Sequence, residues 1–437
     1  MKKINNSVIA LALFIGFANA NAQEKRTLTL DEAVQLGIQN SKNLKIDAAK
    51  IEEATADLLE AKNRQLPELK VSGSYMYLPL KPNINIKLPG VSGDGGPEVH
   101  QVAYGSANLS VPIYSGGRIK YGIESAKYLV EASKLNTEND KVAIAYNVAQ
   151  AYNNLFKANQ SIKVLEENLT ASQKRDETFL KMENNGIIAR NDRLKANLQT
   201  SNIELQLLEA KNNYNIANIN MDLLLGLPET TEIEVDENYI EEGNEVRTVD
   251  YYINTARENR KDLQALDRQR QAAALGTKAA KAENLPSIAF TGGYVAADIP
   301  KFLTIYNAVN VGVGISYNLS NLWKENSSLK QSKAREMQLA ATNELLNDNI
   351  KLDVNREYQN TDYSKKRIAV FEKSAEQANE NYRITKNKYD NGLATMTELL
   401  DADAAQIAAN VGVINAKADA ALAYRKLLQT TGTLTTK

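Results

Sequence analysis

Carboxylates, hydroxyls and one imidazole are the side chains in this sequence that could do acid–base or ligand chemistry. There is a single histidine, His100, and no cysteine among the 437 residues. Disulfides, thiolate nucleophiles and thiolate metal sites are excluded, together with nearly every histidine-based triad or zinc site. Gly312-Val313-Gly314 begins like a phosphate loop, but it lacks the third glycine and the following helix, so it reads as a strand. Glu398 and Asp401 lie three residues apart in a helical stretch, and on their own they read as a solvated helix face. No nucleophile–base pair emerges, and no cofactor or metal is expected. With 52 basic and 53 acidic residues the net charge is −1, so no basic field is offered to nucleic acid. A mean hydropathy of −0.41 excludes a polytopic helical membrane protein.

If these residues do no bond chemistry, the elements that carry them must supply the function. Lys2 and Lys3 precede an apolar run from Val8 to Ala18 and two small-x-small sites ending at Ala20 and Ala22. That pattern is a secretory signal peptide over residues 1–22, with cleavage expected after Ala22. The remainder is written twice. Thr29, Asp31, Asn40, Leu44 and Leu66-Pro67 recur as Thr248, Asp250, Asn259, Leu263 and Leu285-Pro286. Farther along, Val148, Tyr152, Asn185-Gly186, Leu194, Ala196 and Gly226 recur as Val354, Tyr358, Asn391-Gly392, Leu400, Ala402 and Gly432. Each set keeps a constant offset, and the difference falls in the Pro/Gly-rich stretch from Pro79 to Pro97. The expected organisation is a first repeat over 23–230, a connector over 231–246 with a strand near Thr231–Val235, and a second repeat over 247–437.

Each copy predicts a long helix, two strands, a very long helix, a turn and another long helix. Thr29 and Thr248 offer N-caps, and Leu66-Pro67 and Leu285-Pro286 stop the first helices. No proline interrupts Arg118 to Asn184 or Trp323 to Asp390, so each run predicts a helix of roughly 100 Å. Leu400, Ala404, Ile407, Val411, Ile414, Ala418 and Ala421 step 4-3-4-3-4-3, a coiled-coil seam. Asn185-Gly186 and Asn391-Gly392 are helix stops. The hairpins span 71–114 and 287–319. In Asn307–Leu319 an apolar face (Val309, Val311, Val313, Ile315, Tyr317, Leu319) alternates strictly with small and polar residues. Such strands suit an outer-membrane barrel wall, and four of them leave two open edges that hydrocarbon does not tolerate. Several chains would have to close the barrel. Tyr75, Tyr77, Tyr114, Tyr294 and Tyr317 either form interfacial girdles or fill core.

In this order the elements resemble the TolC family of outer-membrane channel proteins, over Leu28 to Gly432. The carriers are the doubled helix–hairpin–helix plan, Val111-Pro112-Ile113-Tyr114-Ser115-Gly116-Gly117 leaving the second strand, and the Asn-Gly turns forty residues before Gly226 and Gly432. The resemblance implies a mixed α/β membrane protein: a coiled-coil helical barrel below a trimeric 12-stranded β-barrel to which each chain gives four strands. It also implies an outer-membrane location with a long periplasmic extension and a surface bathed in outer-membrane lipid. The partners implied are two further copies in a homotrimer, a periplasmic adaptor (membrane fusion) protein and an inner-membrane pump of RND or ABC type; no nucleic acid is expected. Family position assigns Glu398 and Asp401 to a periplasmic gate ring, which would attract cations and raise some carboxyl pKa values by crowding. Asp192 and Tyr389 match the gate's network positions. The family can carry an arginine two residues after the second turn glycine, where this chain has Ala394; Arg190 and Arg193 are the candidates to replace it. Asn185, Gly186, Asn391 and Gly392 are the turns that would meet the adaptor. The Ser-Gly-Gly corner has no counterpart in the second copy, which reads Ser320-Asn321-Leu322-Trp323 and must leave its strand differently. The expected function is a passive, non-enzymatic exit duct of a tripartite efflux system. The alternatives are the duct of a type I protein secretion system and a soluble periplasmic coiled-coil scaffold.

Overall fold

A computed structural model describes residues 25–80, 82, 99–236, 239–240, 246–300 and 302–434. The signal segment and most of the Pro79–Pro97 stretch lie outside the described residues. Helices dominate, and they follow the uninterrupted Ala/Glu/Lys/Asn-rich runs. In chain order they are α1 (Leu30–Asn40), α2 (Lys42–Asn63), α3 (Arg118–Asn184), α4 (Arg190–Leu225), α5 (Val249–Asn259), α6 (Lys261–Ala282), α7 (Ser327–Asp390) and α8 (Met396–Thr430). Their lengths are 11, 22, 67 and 36 residues, then 11, 22, 64 and 35. The strands are β1 (Lys25–Leu28), β2 (Glu68–Tyr77), β3 (Gln101–Tyr114), β4 (Glu232–Val235), β5 (Ser287–Ile299) and β6 (Leu303–Ser316). Among the described residues no helix is long and apolar enough to cross a membrane. Two units emerge. One holds residues up to Lys45, Glu138–Arg260 and Asn347 onward; the other holds Ile46–Thr137 and Lys261–Leu346.

The second unit contains the main sheet, antiparallel throughout, in the order β2-β3-β5-β6. Directly paired residues share a face, so the register sorts the side chains. One face carries Leu69 and Val71 opposite Leu109 and Ala107, then Phe290 and Tyr294 opposite Val313 and Val309. The other carries the row Lys70–Asn108–Gly293–Asn310, with Ser72 opposite Ser106 one pair along. The apolar face is bare in the single chain: Val71 and Ile315 are each 74 % exposed and Val311 is 70 % exposed. All five tyrosines considered above are exposed too, so none fills the core of its own chain. The alternation expected through Ile113 is interrupted by a bulge between Pro112 and Tyr114, where proline has no N–H for the ladder. Beyond it, Gly116 takes φ +63°, and a Cβ there would sit 2.9 Å from the Leu285 Cβ. That close approach explains the glycine corner. After β6 the chain instead makes a single 3₁₀ turn over Leu319–Leu322, capped by the Asn318 side chain. Helix α7 therefore starts at Ser327, not at Trp323, and the Asn326 side chain accepts from the Leu329 N–H at 2.9 Å. His100, just before β3, is half-buried, and its carbonyl accepts from the Leu78 N–H.

The first unit builds its core around Tyr152, Leu155, Met221, Leu225 and Ile233, all within 2 % of full burial. The Tyr152 hydroxyl donates to the Leu28 carbonyl at 2.8 Å and accepts from the Asp236 N–H at 2.7 Å. It thereby holds β1 and β4, which pair in parallel. The strand near Thr231–Val235 is present, but its partner β1 carried no alternation by which it could be recognised. The expected single long helix of each copy is broken, into α1 and α2 at Ser41 and into α5 and α6 at Arg260. No proline or glycine marks either break. Tertiary contact makes them: the Asn40 side chain donates to the Leu225 carbonyl at 2.7 Å, and the Arg260 guanidinium reaches the Thr430 carbonyl. Each break thus receives the C-terminus of a later helix. The seam on α8 is only partly realised, with Ile407 and Ala418 buried, Leu400, Val411, Ile414 and Ala421 half-buried, and Ala404 exposed.

Candidate functional site

Both Asn-Gly turns close their helices in the same way. At the end of α3 the Gly186 N–H bonds the Glu183 carbonyl and the Ile187 N–H bonds the Met182 carbonyl, each at 2.9 Å. At the end of α7 the Gly392 N–H bonds Tyr389 at 2.9 Å and the Leu393 N–H bonds Lys388 at 2.8 Å. This double bond pattern is the Schellman stop, which requires a left-handed residue; Gly186 and Gly392 have φ of +71° and +74°. A Cβ at either would touch nothing within 4 Å, so backbone conformation alone asks for glycine there. The residues just past the glycines, Ile187 and Leu393, are large, apolar and exposed.

The second turn leads directly into the carboxylates. Thr395 caps α8 in a full capping box: its hydroxyl accepts from the Glu398 N–H at 3.3 Å, and the Glu398 carboxylate accepts from the Thr395 N–H at 2.7 Å. The backbone and hydroxyl bonds from Thr395, with Lys388 nearby, hold the Glu398 carboxyl below its ordinary value. Asp401 is one turn further on, exposed like Glu398. Both line an open hollow of about 440 Å³ with Asn381, Thr385, Lys388 and Leu393. The two carboxylates expected to act together therefore share one face.

The other candidates divide. Tyr389 lays its ring edge-on to Phe179, with centroids 5.9 Å apart, and burial followed by the charge of Asp192 raises its hydroxyl pKa. Asp192 itself pairs with Lys195 at 3.6 Å; no hydrogen bond joins it to Tyr389 among the described residues. Arg193 is committed to Glu183 at 2.7 Å, tying the start of α4 to the end of α3. Arg190 opens α4 and makes no ion pair among the described residues.

Sequence reasoning missed a buried cluster just above the turns. Arg175 of α3 donates to Asp403 of α8 at 2.6 Å and to the Tyr382 hydroxyl of α7 at 3.2 Å. Only 15 % and 6 % of the two charged side chains remain exposed. Burial works against the Arg175 charge, but the bond and charge of Asp403 outweigh it and hold the guanidinium above its ordinary pKa. Removing one partner from such a pair typically costs about 3–5 kcal/mol, against about 0–1 for an exposed pair. Higher on the same helices a second cluster repeats the plan: Lys157 of α3 and Arg367 of α7 both reach Asp419 of α8, at 2.8 and 3.2 Å. Beneath the first cluster Phe179, Ala196, Met396 and Leu399 form an apolar core, with Ile188, Tyr382 and Tyr389 against it. No local motif announces the Arg175 cluster, because its partners are over 200 residues away in sequence.

Comparison with known proteins gives a consistent result. The chain is similar in fold to VceC from Vibrio cholerae, an outer membrane protein, with a TM-score of 0.77 at 18% identity over 92% of this chain and 96% of that one. It is likewise similar to the CmeC outer membrane channel of Campylobacter jejuni, with a TM-score of 0.76 at 18% identity over 93% and 86% of the two chains. The open-state MtrE outer membrane channel of Neisseria gonorrhoeae gives a TM-score of 0.72 at 18% identity over 93% and 89%. No curated protein matches by sequence. The profile of the outer membrane efflux protein family, however, matches residues 33–227 and 252–433, nearly all of both helix–hairpin–helix halves. This chain belongs to the outer membrane efflux protein family, whose members are channels and not enzymes.

Proposed function

We propose that the chain is one third of a passive exit duct, the outer-membrane component of a tripartite efflux system. Three copies set their β2 and β6 edges together to close a 12-stranded barrel, and the helices continue as a periplasmic tunnel. The observation that carries this reading is the four-stranded sheet, bare and apolar on one face, small and polar on the other, with the outer edges of β2 and β6 unpaired among the described residues. Lipid outside and water inside suit those faces, and a shared barrel removes the edges. The matching lengths of the two helix sets support a duplicated half. Small molecules pass without bond chemistry; the driving energy comes from an inner-membrane pump of RND or ABC type through an adaptor that meets the Asn185-Gly186 and Asn391-Gly392 turns. Glu398 and Asp401, brought together from three chains, form a ring that favours cations. Asp192, Tyr389 and Arg193 brace that ring, in a chain that has Ala394 where an arginine could stand.

Two measurements test the reading. Extracted from outer membranes without boiling, the protein should run as a heat-sensitive trimer; recovery from the soluble periplasmic fraction would refute the duct. In planar bilayers the trimer should prefer cations, and Glu398→Gln with Asp401→Asn should weaken that preference. Glutamine is chosen because it keeps the capping box while removing the charge.

A further inference from the structure

The two hairpins of the sheet are paired alike. Glu68–Ser110 and Lys70–Asn108 in the first become Ser287–Ser316 and Ala289–Gly314 in the second. The shift from β2 to β5 equals that from Thr29 to Thr248, and the shift from β3 to β6 equals that from Val148 to Val354. Inside the chain a third ladder, β3 with β5, joins one hairpin to the other, with Ser110 opposite Thr291, Val111 opposite Phe290 and Ala107 opposite Tyr294. By the same shifts β6 corresponds to β3, and β2 to β5. Yet β6 and β2 are the two outer strands of the sheet, at opposite ends of it. β6 can therefore repeat that ladder only on the β2 of another copy, a head-to-tail contact that makes a ring when the rotation closes.

We infer that the seam between chains copies the seam within the chain, with Ser316 opposite Ser72 of the next chain, Tyr317 opposite its Val71, Val313 opposite its Tyr75, and Lys324 paired with its Glu68. The faces agree without adjustment. Ser316 and Ser72 lie on polar faces and Val313, Val71 and Tyr75 on apolar ones, and Tyr317 continues the apolar row. A slip of one residue would set apolar side chains against polar ones. A slip of two keeps the faces but displaces the strands by about 7 Å, and charge decides against it. Arg118, just after β3, and Ser287, which opens β5, line one hollow. The same shifts put Lys324 and the next chain's Glu68 in their places. Both are exposed, and neither has an ion pair in its own chain among the described residues. A place that holds an arginine and a serine within the chain thus holds opposite charges between chains. The end of β6 fits as well. β3 runs past Ser110, its last pair with β2, and there only β5 pairs with Val111, Pro112 and Tyr114. β6 stops at Ser316, where the strand that would pair with Tyr317 belongs to the next chain. This rests on the reading of the sheet as part of a shared wall, and the test separates the two.

The chain has no native cysteine, so paired cysteines report the register. Ser72 and Ser316 stand on opposite edges of one sheet, three strand spacings or about 14 Å apart, too far for a disulfide within a chain. Oxidised in outer membranes, Ser72→Cys with Ser316→Cys should give covalent dimers and trimers that survive boiling without reductant. Their yield should exceed several-fold that of Ser74→Cys with Ser316→Cys or of Lys70→Cys with Ser316→Cys, the pairs of the two slipped registers. Glu68→Lys alone and Lys324→Glu alone should each lower the temperature at which the unboiled trimer falls apart, and the double reversal should restore it. Stronger cross-linking at Ser74 or Lys70 in an intact trimer overturns the register and leaves the shared wall standing, as does an intact trimer in which no pair cross-links. A double reversal no more heat-stable than the single ones refutes the pairing of Lys324 with Glu68. Unboiled protein that runs as a monomer, with no cross-link at any pair, refutes the shared wall itself.

Discussion

Glu398 belongs at once to a helix cap and to the hollow of the candidate site. Its acceptor oxygen closes a capping box, and its charge faces the hollow shared with Asp401. Replacing Thr395 with Ala should fray the start of α8 at a cost of about 1 kcal/mol, read as faster amide exchange over its first turn, without removing either charge. Asp222 makes a different statement. It is fully buried near the end of α4, where Asn218 donates to one oxygen at 3.0 Å and the other has no partner among the described residues. Burial, then the charge of Glu229, pushes its pKa up to about 6 from 3.8. The folded chain therefore keeps a proton that the unfolded chain releases, so the contribution of this group to stability is complete below about pH 4 and lost as pH rises through 6. The loss is on the order of 2–3 kcal/mol. Asp222→Asn should raise the thermal midpoint at about pH 8 and bring no gain below about pH 4; a gain independent of pH would contradict the assignment.

At the scale of elements, what could be read in advance is what local chemistry writes. Thr29 and Thr248 cap helices as their side chains require. The proline-free run ends at Asn184, where Asn-Gly stops it, and Val309 to Ile315 alternate as a strand with two unlike faces must. The breaks at Ser41 and Arg260 were not legible, because they are imposed by the arriving ends of α4 and α8. Nor was the Arg175–Asp403 pair, whose members are ordinary charged residues until the fold brings them together. The glycines that end α4 and α8 record the same contact. Gly226 has φ +68°, and a Cβ there would lie 2.9 Å from the Asn40 Cβ. Gly226→Ala should therefore cost more than the about 1–2 kcal/mol of the left-handed conformation alone. Gly186→Ala, at a similar φ with open space around it, should cost only that. Thermal unfolding followed by circular dichroism compares the two, and equal losses would deny the close contact at Asn40.

At the scale of the whole molecule, the two faces of the sheet make opposite demands. Val311→Arg places a charge on the apolar face at a cost of about 2–4 kcal/mol at mid-bilayer, and should reduce the heat-sensitive assembled form recovered from membranes. Gly312→Ser, one residue along on the polar face where a Cβ meets nothing within 4 Å, should assemble normally. If both variants assemble equally well, the apolar face does not meet lipid. The bare edges at β2 and β6 reach further, into inheritance. A chain that completes its wall only with its neighbours' strands exposes every neighbour to its own defects. If three chains close the wall, a cell making equal amounts of sound and edge-damaged chains would build only roughly one eighth of its assemblies from sound chains alone. Damage confined to β2 or β6 should therefore behave as a dominant trait, whereas a chain that never reaches the membrane would leave the sound copies to assemble undisturbed.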